Sequence, residues 1–152
     1  MSQYAKDTQV PAERSRGEIE KTLERYGADG FAYASTREKA MIEFQAGGRR
    51  VRFVLDLPQL ADFTRTPTGR SRTKAAAETE QAKAVRQRWR ALALLVKAKL
   101  EAVESGIVSF ETEFMPHTLL PSGRTVAEEI QPQIEQAYTS GAVAPLQIES
   151  GF

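Results

Sequence analysis

The chain has 152 residues, 41% of them hydrophobic and 27% charged, with no cysteine and a net charge of +1. That length builds a core without metal or disulfide, and the composition excludes wholesale disorder. The absence of cysteine removes disulfide frameworks, thiolate zinc sites and thiol nucleophiles. The small net charge conceals a strong asymmetry, since residues 1–48 sum to −1, residues 49–99 to +9 and residues 100–152 to −7. A middle so basic can attract an anionic partner or receive the protein's own acidic end.

The opening stretch MSQYAKDTQVPAERSR has no apolar run of the kind a signal peptide carries. Ser15-Arg16-Gly17-Glu18 has the spacing of a capping box. Ile19, Leu23 and Tyr26 then form one apolar stripe of a first helix, which Gly27 is suited to end. A three-stranded antiparallel meander follows. With Gly47-Gly48 as a two-residue turn, Phe44 faces Val51, Ile42 faces Phe53 and Glu43 faces Arg52. A four-residue loop from Thr36 to Lys39 sets Tyr33 opposite Ile42 and Phe31 opposite Phe44, on the same buried face. In this register Arg52 pairs with Glu43, and Arg50, opposite Gln45, is left free. Ala32, Ala34, Met41 and Val54 make the outer sheet face more apolar than a wholly solvated one, which keeps a homo-oligomer open.

Pro58 closes the last strand, and ADFTRTPTGRSRTK reads as a loop in which Arg65, Arg70, Arg72 and Lys74 meet no acidic residue. A long helix runs from about Lys74 to Ser105, on the order of 45 Å, stopped by Gly106. Its stripe is Val85, Trp89, Leu92, Val96, Leu100 and Val103, flanked by Leu95, and Lys83, Arg86, Arg90 and Lys97 fall on one arc beside it. The alanine-rich first half is expected to project from the core or pack lightly. Beyond it, Ser109 caps a short helix with Phe110 and Phe114, broken near Pro116. Thr125 to Glu128 is a second capping box before the stripe Val126, Ile130, Ile134 and Tyr138, with Pro132 expected to bend that helix and a tail from Gly141.

These elements define an α+β fold: an N-terminal helix, a three-stranded antiparallel meander, a long central helix and a small C-terminal helical unit. Residues 1–106 form the core domain with a basic loop at 58–74, and 107–152 an acidic appendage. No run reaches the roughly 20 apolar residues that span a bilayer, so no membrane partner is expected.

Candidate chemistry is sparse. His117 with Glu113 lacks further ligands for a metal, and neither a Walker loop nor a dinucleotide fingerprint occurs. The glutamates Glu111, Glu113, Glu128 and Glu129 read as solvated helix faces, Glu128 being accounted for by its capping box. Trp89 in RQRWR could stack on unpaired bases, but it lies on the apolar stripe and reads as core. No catalytic residue, metal or cofactor is assigned. The strongest signal is the basic cluster, Arg50, Arg52, Arg65, Arg70, Arg72, Lys83, Arg86 and Arg90, read as phosphate contacts of a non-enzymatic nucleic-acid-binding protein for DNA or RNA. Two other readings stay open: a protein-binding inhibitor or assembly factor, directed for example at host defence, that acts on a host protein, and an enzyme of unfamiliar type, which needs a deep pocket joining His117 to carboxylates or arginines.

Arg86 to Phe114 (RQRWRALALLVKAKLEAVESGIVSFETEF), then LLPSGRTVAEEI, resembles a family of small phage and prophage proteins of unassigned activity. ERSRGEIEKTLERYGADGFAYA and GRRVRFVLDLP are similar too, so the likeness covers most of the chain. The resemblance implies the cytoplasm of an infected or lysogenic bacterium, and DNA handling, packaging or anti-defence as the context. It carries over no site residue.

Overall fold

The computed structural model describes residues 8–142 and 145–148. Part of the stretch in the signal-peptide reading, residues 1–7, and half of the expected tail, residues 143–144 and 149–152, therefore lie outside the described residues. In chain order the elements are α1 (Ala12–Arg25), β1 (Gly30–Ser35), β2 (Lys39–Ala46) and β3 (Arg49–Asp56), then a 3-10 turn at Leu60–Phe63. After that come α2 (Lys74–Glu104), α3 (Phe110–Glu113), a second 3-10 turn at Met115–His117 and α4 (Val126–Ser140). This is the α+β architecture expected.

The sheet has the order β1-β2-β3, antiparallel throughout. Its register pairs Phe44 with Val51, Ile42 with Phe53 and Glu43 with Arg52, and on the other side Tyr33 with Ile42 and Phe31 with Phe44. Gly47 and Gly48 make the β2–β3 turn at φ 56° and 73°, a left-handed pair that matches strand twist and that side chains with a Cβ resist. Alternation then places Ile42, Phe44, Val51 and Phe53 inward, all within 5% of full burial.

Both long helices cover that inner face. Ile19 and Leu23 of α1 meet Trp89, Leu92, Val96 and Leu100 of α2 and the sheet residues in one core, each such side chain contributing about 1.5–3 kcal/mol. The outer sheet face carries Ala32, Ala34, Met41 and Val54; α1 and α2 lie across the other side.

Four sequence expectations change. The first helix begins at Ala12 behind Pro11, not at Ser15. Ser15 is fully buried, because it lies one turn ahead of Ile19 on the stripe that packs, and its Oγ has no partner among the described residues. Glu18, freed from capping, turns to Arg90. The first half of α2 does not project: Ala77 is buried, and Gln81 Nε2 donates to Pro58 O at 3.2 Å, holding the helix on the Leu60–Phe63 turn. Leu95 is exposed and the smaller Ala93 takes its place.

The fourth change concerns the chain after Gly106. Phe114 is completely buried, edge-on to Phe44 at 5.7 Å and to Phe53 at 6.3 Å. Thr118 bridges to Val51, and Leu119 N–H donates to Arg50 O at 2.8 Å. Residues 110–119 are thus part of the core and cover part of the free edge of β3. Beyond them Thr125 caps α4 in the expected box with Glu128. Pro132 lies inside that helix, which continues through it.

Candidate nucleic-acid interface

The basic cluster separates into three places. On β3, Arg50 and Arg52 both close on Glu43. Arg52 Nε and Nη2 donate to Glu43 Oε2 at 3.2 and 3.1 Å; Arg50 Nε donates to Oε1 at 3.1 Å, and its Nη2 reaches the same oxygen. Arg52 Nη1 also donates to Gly123 O at 3.3 Å. The expectation that Arg50 stays free is therefore corrected. Glu43 is diagonal to Arg50, a separation of about 7–8 Å between backbones that an arginine spans. One carboxylate offers each guanidinium an oxygen. Burial alone would raise the Glu43 pKa, but the hydrogen bonds and charges of the two arginines outweigh it and hold the group below its ordinary value.

The second place is the arc on α2, which looks onto α1. Arg90 Nη1 pairs with Glu18. Arg86 is half-buried, with its Nε enclosed and without a hydrogen-bond partner among the described residues. Lys83 is partly buried and engaged. Lys97, further along, is exposed. Trp89 is buried against Tyr33 at 5.7 Å, and Arg16 lies over both rings, 4.5 Å from Tyr33 and 5.2 Å from Trp89. Trp89 is a core residue, and the cation over its ring, Arg16, comes from α1.

The third place is the loop between the sheet and α2, which is an ordered hairpin. Arg72 N–H donates to Thr64 O at 2.8 Å and Thr66 N–H to Arg70 O at 2.7 Å, with Arg65 bridged to Ser71. Gly69 turns the tip at φ 88°. Arg72 works from within, Nη1 donating to Phe63 O at 3.2 Å and to Arg65 O at 3.0 Å. Arg65 makes one bond, Nη1 to Gly69 O at 3.1 Å, and stays exposed. Arg70 is exposed, and its side chain has no polar partner among the described residues.

Thr73 then caps α2, accepting from Ala76 N–H at 3.1 Å, and Lys74 follows in a first turn without an acidic residue. Neither Arg65, Arg70 nor Lys74 has a carboxylate within ion-pair distance among the described residues. Three exposed cations therefore stand beside the positive end of a long helix dipole. Lys74 belongs with Arg65 and Arg70, although the predicted contact set omits it. The unbroken basic run from Thr64 to Lys74 was the signal that could have included it.

His117 stacks on Phe53, ring centroids 4.1 Å apart, and burial, then the charge of Lys99, lowers its pKa. Lys99 is itself paired with Glu113 at 3.0 Å. Among the described residues no group of three or more histidine, aspartate or glutamate side chains could hold a metal ion, and no helix is long and apolar enough to cross a membrane. Comparison with protein-family models, with curated proteins and with solved structures finds no match for the chain.

Proposed function

We propose that this is a non-enzymatic phage or prophage accessory protein that binds nucleic acid electrostatically in the host bacterial cytoplasm, with the hairpin at residues 64–73 as its contact. The observation that carries this reading is that Arg65, Arg70 and Lys74 stand exposed on a frame ordered by its own hydrogen bonds, with no carboxylate beside them among the described residues. A backbone frame held in place loses little entropy when its cations meet phosphates, and each neutralised phosphate releases counterions. Three contacts predict a slope of log affinity against log salt of roughly −2 to −3. Arg50, Arg52, Arg72 and Arg90 serve the fold in this reading, and binding is weakly selective for sequence because phosphate contacts carry no base information.

Fluorescence anisotropy with labelled single- and double-stranded DNA and RNA, from about 50 to 200 mM salt, tests it. The expected result is salt-sensitive binding that the Arg65→Ala/Arg70→Ala/Lys74→Ala variant loses and Arg90→Ala retains. No binding at the lowest salt, or binding indifferent to the triple substitution, overturns it.

One observation favours the second reading, a protein-binding inhibitor or assembly factor. On α4 the stripe that began with Val126 ends with Ile134 and Tyr138 in solvent, Tyr138 at 87% exposure, and Leu146 and Ile148 are exposed beyond it. Uncovered apolar side chains at helical spacing suit a protein groove. This reading expects a host protein to be captured through Ile134 and Tyr138 and lost on their replacement by serine.

A further inference from the structure

The core is left open at one end. A cavity of about 220 Å³ lies where α1, α2 and the β2–β3 turn end, lined by Leu23, Phe44, Leu100, Val103 and Phe110. Leu23, Phe44 and Leu100 are buried almost completely, whereas Val103 and Phe110 pack against the core and are only partly buried. Gly27 and Gly47 close the sides. A Cβ at Gly27 would meet nothing within 4 Å among the described residues, and one at Gly47 would meet Phe110 at 3.8 Å. An apolar cavity of this size accepts one aromatic ring and holds water poorly.

The rim of this cavity is negative. Glu18 with Arg90 and Tyr26 with Glu101 meet in the same order along α1 and α2, so the two helices run parallel. Both therefore bring the negative ends of their dipoles to the cavity. The last turn of α2 has no basic residue, and Glu104 lines the cavity while exposed. Beside it, Glu101 accepts from the Tyr26 hydroxyl at 2.7 Å. Neither carboxylate has an ion-pair partner among the described residues. Arg25, 5.3 Å from the centre of the Tyr26 ring, offsets one of the two and leaves the balance negative.

We infer that this cavity is a binding site for a small organic cation, an aromatic ring carrying a short alkylammonium chain. The ring fills the space between Phe44, Val103 and Phe110, and the ammonium meets Glu104 at the rim. Apolar walls with a few placed polar groups are what a small-molecule site requires. Charge complementarity selects the ligand: a carboxylate would face Glu104 and two negative helix ends, and a neutral molecule would leave that field unused. The site lies at the other end of α2 from the hairpin, about 45 Å away, and stands whether or not the hairpin binds nucleic acid.

The test is titration of the isotope-labelled full chain, followed by amide shifts in nuclear magnetic resonance at low salt, with three probes of one shape. These are phenethylamine, its neutral counterpart phenethyl alcohol and its acidic counterpart hydrocinnamate. Phenethylamine is expected to saturate with a Kd on the order of 1 mM, with the largest shifts at Gly27, Gly47 and Phe110. The alcohol should bind about threefold and the acid at least about tenfold more weakly. Glu104→Gln removes an exposed charge, and should bring the amine to the affinity of the alcohol while leaving the alcohol unchanged. Val103→Trp fills the cavity and should weaken amine and alcohol at least about tenfold, with circular dichroism as the check on folding. Absence of saturable shifts at Gly27, Gly47 and Phe110 overturns the proposal. So does an acid that binds as tightly as the amine, an amine indifferent to Glu104→Gln, or a folded Val103→Trp that binds unchanged. If Val103→Trp unfolds the chain, the shift map and Glu104→Gln decide without it.

Discussion

Arg52 and Arg70 are the same residue type in the same basic third of the chain, and the fold uses them in opposite ways. Arg52 stands on a strand, a quarter of its side chain exposed, with a carboxylate and a carbonyl as partners. Arg70 stands at the tip of a hairpin with no side-chain partner among the described residues. A strand pairs residues far apart in sequence, so a carboxylate can be delivered to an arginine from the neighbouring strand. The hairpin's rungs pair its own residues, and no acid lies between Thr64 and Lys74. Formal charge is therefore a poor measure of charge available to a ligand. In the middle third Arg50, Arg52, Arg90 and Lys99 are paired with carboxylates from outside it.

That contrast can be broken at several points. Phe114→Ala should cost about 3–5 kcal/mol, as large aromatic truncations in cores do, and unfold the domain in one transition. A mild effect, read by urea denaturation, would mean that residues 110–119 are an appendage and not part of the body. Arg52→Ala should cost about 1–2 kcal/mol, the lower end for a charged hydrogen bond because the pair is partly solvated. Arg70→Ala should change stability by less than about 0.5 kcal/mol. Equal melting of the two variants would mean that Arg52 is no more part of the fold than Arg70.

Ser15→Ala sharpens the rule from its exception. Ser15 Oγ is buried without a partner among the described residues, so its removal should raise stability by about 0.5–1 kcal/mol, from desolvation and helix propensity together.

The acid response separates the two regions further. Glu43 has a lowered pKa in the folded chain, so the unfolded state binds its proton more readily; that contribution is full above the ordinary value of 4.5 and is lost as pH falls through the folded one. Glu43→Gln should flatten stability against pH in that acidic window. His117, also lowered, gives a dependence with the same sign at higher pH. Its neutral form is favoured in the folded chain, so stability declines as pH drops below 6.5 toward its folded value. His117→Gln should remove that slope in denaturant melts between about pH 7.5 and 5.5, whereas Arg70→Ala should leave both slopes unchanged.

Much of the fold was legible from local rules. The meander's register followed from two turn lengths and a period of two, because a slip of one residue would invert every buried side chain. Thr125 to Glu128 and the long stripe of α2 were equally readable, since capping and helical spacing involve neighbours in the chain. Ser15 was misread because two local signals competed, a capping box and an early turn of the same stripe, and contact with the core decided between them.

What the sequence determined by itself was thus the elements, their faces and the pairing across each tight turn, all set by interactions a few residues long. Tertiary structure alone decided which cations remain available. Arg50 was taken by a diagonal carboxylate, Arg90 by Glu18 72 residues away in the chain, and Arg72 by carbonyls of its own loop. It also decided that Phe114 completes the core. Those outcomes depend on which surfaces meet when α1, α2 and residues 110–119 close around the sheet, and long-range packing leaves no periodic mark in the chain.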